Sequence, residues 1–206
     1  MSGVDLYVAL ALGIGLAAAS GFRVFIPPFL YGLATRFELN PTAFAGSDMQ
    51  AWMASDVGLT VLGAAVVCEL LAYYIPWLDN LLDAIASPAA VFGGMVLMSS
   101  SLGELDPVLR WSTSIIVGGT TSGTVQVSTV GIRALSTAST GGLGNPIVST
   151  VEAGACLVCT VLALLLPVLA MVLVVAGLVV GGRWLLRRRS KMGEDEAALV
   201  SINPQA

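Results

Sequence analysis

Long apolar runs alternate with short polar interruptions along almost the whole chain. A helix needs roughly 20 residues to cross about 30 Å of hydrocarbon. The run at 57–75, which ends before Pro76, fits that length, with Glu69 inside it. The region 5–37 is too long for one span and too short for two, and it is interrupted at 20–23 and at the Pro27-Pro28 pair. The pattern predicts a broken helix or a helical hairpin there, followed by one conventional span.

The middle of the chain is more polar. Residues 38–56 are predicted to form a loop outside the membrane, because they are rich in polar and turn-forming residues. In 77–86, Asp79 and Asp83 stand four positions apart, which puts both on one face of an amphipathic helix. The short apolar stretch 89–102 is either a half-span or the continuation of that helix as a kinked span.

The second half of the chain resembles the first in layout. Residues 108–140 consist of an apolar half, a glycine-rich interruption at 118–123 and a second helical half. A strong breaker follows at 141–146. Residues 147–186 would reach about 60 Å as one helix, twice the hydrocarbon thickness, so we expect a kink or turn near Pro167.

These segments predict an all-α polytopic membrane protein with about six membrane segments, between roughly four and eight, some of them broken or re-entrant. The shared layout of 5–37 and 108–140 suggests an inverted internal repeat, although the two regions have little direct identity. We expect residues 1–190 to form a single transmembrane domain and 191–206 a short, disordered, acidic tail. The basic residues concentrated at 183–191 place the C-terminus in the cytoplasm.

Composition restricts the class of protein further. The chain has 206 residues, 56% of them apolar and 11% charged, whereas soluble domains carry about 25% charged residues. There is no His, which excludes Ser-His, Cys-His and His-metal sites. With 9 Lys and Arg against 13 Asp and Glu, the net charge of −4 argues against a nucleic-acid partner. We expect no enzyme activity, metal or cofactor; the expected partners are the lipid bilayer and a small ion or solute, and a homo-oligomer is compatible with the pattern.

The three cysteines lie in apolar runs. Cys156 and Cys159 form a C-x-x-C on one helix face, and the third cysteine, Cys68, stands alone in an earlier apolar run. They are interpreted as small buried residues, since a soft-metal or redox site would need further ligands that the sequence does not offer.

Charged side chains inside apolar segments are the first functional candidates, because an ionisable group in hydrocarbon is costly unless it is paired or hydrated. They are Arg23, Glu69, Asp79, Asp83, Arg133 and Glu152. Structural ion pairs would explain them without any transport. In either case, we expect Arg23 to have a buried acidic partner among these four acids.

A polar stripe follows one face of the helix predicted at 122–140. Its members, which fall within about 100° of one another on a helical wheel, are Ser122, Gln126, Thr129, Arg133, Ser136, Thr137 and Thr140. Lipid does not accept such a face, so it must meet water or other helices. Hydroxyl groups that join helices are common in membrane bundles, but Gln126 and Arg133 favour a hydrated cavity.

Helix breaks are the second kind of candidate, because free backbone groups at membrane depth are tolerated where they are buried in protein or line an ion or solute site. The predicted break residues are Ser20, Gly21, Gly141, Gly142 and Gly144, and the neighbouring amides Asn80 and Asn145 complete the candidate pathway. A phosphate cradle at 141–144 is a weaker alternative, since it lacks the lysine and spacing of a P-loop.

Three segments resemble an integral-membrane family of bacteria, the domain of unknown function 4126. They are 19–27 (ASGFRVFIP), 75–83 (IPWLDNLLD) and 135–146 (LSTASTGGLGNP). The resemblance covers about residues 5–187 and implies that the three segments belong to one polytopic domain, but it brings no established activity. We expect the protein to lie in the cell (inner) membrane.

Together these features favour a small membrane transporter or channel for an ion or a small polar solute, with its site at helix breaks near the bilayer midplane. The alternative is a membrane protein that transports nothing: a scaffold, an assembly factor or a lipid-binding protein. A weaker third hypothesis is a membrane enzyme that uses Asp79 and Asp83 as a carboxylate pair. Because both signs of charge occur along the predicted pathway, the sequence does not set the charge of the solute.

Overall fold

The computed structural model describes residues 3–39, 47–73 and 75–202, without the side chains of 76–83, 184–186 and 188–202. Every regular element in this part of the chain is helical. The helices are α1 Gly3–Ser20, α2 Ile26–Arg36, α3 Asp48–Ala54, α4 Asp56–Ala72, α5 Pro76–Ser101, α6 Pro107–Thr113, a π-helix Ser114–Gly119, α7 Thr120–Thr140, α8 Asn145–Leu165 and α9 Pro167–Ile202.

Three helical stretches are long and apolar enough to cross a membrane: α1, the Ala84–Ser101 part of α5, and α8. The pair α3 and α4 passes the same test together, with a bend of 72° between them, as one broken span or a re-entrant loop. By length and composition, the described residues therefore supply three or four spans. The larger number expected from the apolar pattern stays a prediction.

The segment 38–56 is not simply a loop, since residues 48–54 form α3. Its polar residues belong largely to the helix ends: Ser47 accepts a hydrogen bond from the Gln50 amide (3.1 Å), and Ser55 accepts one from the Gly58 amide at the start of α4 (3.0 Å). Such caps satisfy backbone donors that a helix leaves free. Between them Met53 is buried in the core. The prediction of a loop was wrong for 48–54, because capping residues give the same sequence signal as a loop; residues 40–46 lie outside the described residues.

The glycine-rich interruption predicted at 118–123 is also absent, and the chain is helical there, as a π-helix that leads into α7. A Cβ atom on Gly118 would lie 2.6 Å from the Gly94 carbonyl oxygen of α5. Glycine is therefore needed at this point for close helix packing and does not end the helix. The layout that suggested an internal repeat loses one of its two breaks.

Other predicted interruptions correspond to helix ends. Residues 21–25 separate α1 from α2, and the Pro27-Pro28 pair lies in the first turn of α2, where proline is tolerated. The turn expected near Pro167 is confirmed, since α8 ends at Leu165 and α9 begins at Pro167. The predicted segments 77–86 and 89–102 are joined in α5, which ends at Ser101 and has Pro88 inside it.

The chain divides into two compact units, residues 1–171 and 172–206. In the first unit, α1 packs against α5 and α8 through small side chains, and a Cβ atom on Gly15 would lie 2.7 Å from that of Ala163. Leu12 and Leu16 are buried in the same core. The second unit consists of α9 from Val172 onward, and its helix includes most of the segment 191–206.

Candidate functional site

Four of the charged side chains that the structure describes in the first unit are buried. Arg23 comes from the turn between α1 and α2, Glu69 from α4, Arg133 from α7 and Glu152 from α8. Their exposed fractions are 1%, 6%, 3% and 5%. We call these residues the charge cluster; their formal charges sum to zero. Four elements that are distant in sequence thus contribute to one site.

Glu152 is the partner that both arginines share. Arg133 donates from Nε to Oε1 and Oε2 (3.2 and 3.1 Å) and from Nη2 to Oε2. Nη2 of Arg23 lies 3.4 Å from the same Oε2. The expectation that Arg23 has a buried acidic partner is confirmed, and the partner is Glu152. Two arginines thus lie against one buried carboxylate, which offsets the cost of burying these charges.

Two further residues hold the arginines in place. Nη2 of Arg23 donates to the carbonyl oxygen and the hydroxyl of Ser149 (2.8 and 2.6 Å). The guanidinium carbons of Arg23 and Arg133 lie 3.8 and 4.2 Å from the centroid of the Tyr73 ring, within the range of cation–π attraction. Sequence reasoning missed both Tyr73 and Ser149. Tyr73 follows Glu69 by four residues, and Ser149 precedes Glu152 by three, so a search for helix neighbours of the charged residues would have found them.

Glu69 is held differently. Its Oε1 accepts a hydrogen bond from the Val24 amide (2.8 Å), and its Oε2 accepts one from the Phe25 amide (3.1 Å). These amides precede α2, where a carboxylate is stabilised by the free N–H groups and the helix dipole. Among the side chains that the structure describes, no cation forms an ion pair with Glu69.

Arg23 retains unused donor capacity. Its Nε and Nη1 atoms are buried and have no hydrogen-bond partner within the described part of the chain. A buried donor without a partner is costly, and such groups are rare in proteins. The charge cluster is therefore neutral overall but has N–H groups left for a further acceptor.

The polar stripe is buried over its first half. Ser122, Gln126, Thr129 and Arg133 are buried, and Thr140 at the other end is exposed. The Ser122 hydroxyl donates to the Gly118 carbonyl (2.9 Å) and the Thr129 hydroxyl to the Gln126 carbonyl (2.9 Å). Both bonds go to the preceding turn of the same helical stretch, so these hydroxyl donors are satisfied without water. Arg133 is the stripe residue that joins the charge cluster.

The two predicted breaks do not meet. A Cβ atom on Gly21 would lie 2.6 Å from the Ser122 carbonyl oxygen near the start of α7. At the other end of α7, Asn145 donates from Nδ2 to the Thr137 hydroxyl (3.0 Å), and the Gly144 amide donates to Thr140 (2.9 Å). The helical rise puts Ser122 and Thr137 roughly 20 Å apart.

Glycine is required by conformation in the second break. Gly141 and Gly142 have φ values of 64° and 92°, which L side chains adopt with difficulty. They allow the chain to turn directly from α7 into α8, which brings Glu152 toward Arg133. The residues of this break are not part of the charge cluster, but the turn that they form positions Glu152 within it.

A lateral pocket lies beside Glu69, between α4 and α5. It has a volume of about 310 Å³, and its walls include Ala65, Cys68, Tyr73 and Ala89. Except for the Glu69, Tyr73 and Cys68 side chains, the walls are hydrocarbon. The pocket is thus an apolar space with one acidic residue among those that line it.

Of the remaining candidates, Asp79, Asn80 and Asp83 have side chains that lie outside the described residues. Cys156 and Cys159 have their thiols 3.2 and 3.7 Å from carbonyl oxygens of α1, which agrees with small residues packed in the helix interface. Within the described ranges, no three His, Cys, Asp or Glu side chains are grouped closely enough to hold a metal ion.

Comparison with known proteins identifies a family but no activity. The model of a family described as a domain of unknown function, DUF4126, matches residues 10–188. No curated protein matches the chain, and no solved structure does.

Proposed function

The chain belongs to the DUF4126 family, and because that description assigns no activity, we propose a function from the charge cluster itself. The protein is a small membrane transporter or channel for an ion or a small polar solute. The charge cluster forms part of the pathway, with Arg23 as the residue that meets the solute.

The observation that carries this proposal is the state of Arg23. A purely structural ion pair is stable when each buried donor has an acceptor, and apolar residues of similar volume often replace such a pair without loss of stability. Here Nε and Nη1 of a fully buried guanidinium have no acceptor among the described residues. Intramembrane charges of this kind are typical of substrate and ion pathways.

The proposal includes the membrane arrangement that the apolar pattern predicts. It has about six membrane segments, some of them broken or re-entrant, in the cell (inner) membrane. The C-terminus is cytoplasmic because of the basic residues at 183–191. An inverted repeat and a homo-oligomer remain compatible with it, and the proposed protein is not an enzyme.

Flux into proteoliposomes tests the proposal. The full chain is reconstituted with a pH-sensitive dye, a chloride-sensitive dye or, for neutral solutes such as urea, light scattering after an osmotic step. We expect wild-type protein to accelerate at least one of these signals over empty vesicles. Arg23→Gln should abolish that increment because it removes the unused donors.

The matched control is Arg36→Gln, which removes an exposed arginine paired with Asp56 at 2.7 Å. This variant should transport like the wild type. Equal flux in protein-containing and empty vesicles for every probe, with folded protein present, would contradict the transport proposal.

A second candidate is a non-transporting scaffold, assembly factor or lipid-binding protein. It is favoured by the polar stripe, where the hydroxyls of Ser122 and Thr129 bond to carbonyls of neighbouring helical turns. Such bonds occupy the hydroxyl donors within the helix, so this buried face can pack against other helices without water. Absence of flux in a folded, reconstituted protein would favour this candidate.

A further inference from the structure

We propose that the lateral pocket binds an amphiphilic organic cation, with an ammonium group at Glu69 and an apolar body between α4 and α5. Only one part of this inference rests on the proposed function, namely that the protein transports the bound ligand. Binding itself is a separate property of the pocket.

The Glu69 carboxylate has acceptor capacity left. It is 6% exposed and accepts one hydrogen bond on each oxygen, from the amides of Val24 and Phe25. A carboxylate offers about four lone-pair directions, so each oxygen accepts a further donor. Glu69 is also one of the residues that line the pocket. A donor that reaches its carboxylate from the pocket therefore has a partner.

The charge at this wall favours a cation. Among the described residues that line the pocket, Glu69 alone carries a charge. Arg23 and Arg133 pair directly with Glu152 and act on Glu69 only through space, and the hydrogen bonds that Glu69 accepts come from backbone amides. An ammonium group adds the charge-assisted hydrogen bond that this acid lacks. Neither an anionic head group nor a hydrocarbon chain offers that bond to the carboxylate.

The apolar walls favour an amphiphile over an inorganic ion. A hydrated ion that entered between Ala65, Ile85 and Ala89 would lose water and gain no polar partner from these side chains. An alkyl or aryl group instead gains from leaving water, in proportion to the apolar area that it buries. Affinity for this pocket thus requires a charged head and an apolar body in one molecule.

Size and access agree with a small amphiphile. A volume of about 310 Å³ is at the low end of the range of ligand pockets. A second apolar pocket of about 240 Å³ shares Val24, Phe25 and Ala89 with the first, which leaves room for a longer chain. Cys68 and Ile85 on the wall are exposed, and Ile85 belongs to a candidate span. The ligand would thus enter sideways from the hydrocarbon.

Three six-carbon probes with different head charges test the site: hexylammonium, hexanol and hexanoate. Titration calorimetry on the full chain in phosphatidylcholine nanodiscs, corrected with empty discs, measures binding. We expect saturable binding of hexylammonium alone. Glu69→Gln should weaken it by about tenfold or more, since a buried hydrogen bond to a charged group is worth that factor. Glu38→Gln, at an exposed acid, should bind as the wild type does.

Because Glu69→Gln also changes the bonds from the Val24 and Phe25 amides, a second variant tests the pocket without altering them. Ala65→Phe fills the pocket without changing the carboxylate and should also weaken binding, whereas Ala138→Phe, on an exposed position of α7, should not. In a chain with Cys156→Ala and Cys159→Ala, hexylammonium should slow the labelling of Cys68 by N-ethylmaleimide. These results together would support the site.

The opposite results would overturn it: no saturable binding, equal affinity for the three probes, or affinity that Glu69→Gln and Ala65→Phe leave unchanged. The outcome is separable from that of the proposed function. Binding without flux would retain the site and remove the transporter, and flux without binding would do the reverse.

Discussion

At the scale of single residues, the charge cluster depends on the sharing of Glu152. This carboxylate bonds to Arg133 through two nitrogens and lies 3.4 Å from Nη2 of Arg23. Removal of Glu152 alone would leave two cations opposite Glu69. Removal of Arg133 alone would leave an excess acid. Removal of both restores a neutral set, Arg23 with Glu69.

This balance predicts a strong energetic coupling between Arg133 and Glu152. Each single change, Arg133→Met or Glu152→Met, should lower the free energy of unfolding by about 3–5 kcal/mol, because it leaves a buried charge without its partner. The double variant should lose less than the sum of the two, with a coupling of about 1–3 kcal/mol. Thermal unfolding in detergent gives the comparison.

The surface pair Arg36 and Asp56 provides the control for this cycle. Its carboxylate side chain is 86% exposed, and exposed pairs contribute about 0–1 kcal/mol. Simple additivity for Arg133 and Glu152, as expected for the surface pair, would show that the buried groups do not act as a unit.

The sequence identified all four charged residues of the cluster, because charge within apolar segments is unusual whatever the fold. It did not identify which of the four candidate acids pairs with Arg23, since Glu152 is distant in sequence and is brought close only by the packing of α8 against α1 and α2. Tyr73 escaped notice because an aromatic residue at the end of an apolar run is ordinary. Its contribution arises from the two guanidinium groups placed over it.

At the scale of elements, glycine was the least decisive signal. The same residue type marks the end of α7 at Gly141, where φ is 64°, and a continuous helix at Gly118, where α5 approaches closely. Conformational freedom and absence of a side chain are distinct properties, and a single sequence does not separate them. For this reason the glycines predicted a break at both places, and the prediction holds at 141–144 but is wrong at 118–123.

Substitution by alanine distinguishes these two uses of glycine. Gly118→Ala should destabilise the protein by about 1–3 kcal/mol, because its Cβ atom would overlap the Gly94 carbonyl of α5 and force the helices apart. Gly131 lies in α7, and no atom lies within 4 Å of a Cβ atom added there. Gly131→Ala should therefore stabilise the helix by up to about 1 kcal/mol, because alanine favours the helix more than glycine does. Melting temperatures of both variants test this, and a neutral Gly118→Ala would contradict the close approach of α5.

At the scale of the whole molecule, composition alone predicted a helical membrane protein, because so few charged residues occur among so many apolar ones. The helices bear this out, with three or four of them apolar enough to cross a membrane. Among the described residues, the helices that pass this test are fewer than the apolar runs, because α5 joins two runs and α7 carries many polar residues. The count of about six membrane segments therefore stays a prediction. Composition alone does not reveal where a helix packs, and α7 buries the first half of its polar stripe.

Orientation in the membrane follows from charge at the same scale. Because basic residues near the end of an apolar segment remain on the cytoplasmic side, a fluorescent reporter that matures only in the cytoplasm should be active when fused after Ala206. A phosphatase that is active only outside should be inactive at the same position. The residues that carry the expectation are Arg183, Arg187, Arg188, Arg189 and Lys191. With all five replaced by Gln in a control chain, the bias should weaken and the fraction of external reporter should rise. A phosphatase active outside in the unaltered chain would reverse the assigned orientation, and with it the side from which a solute would be taken up.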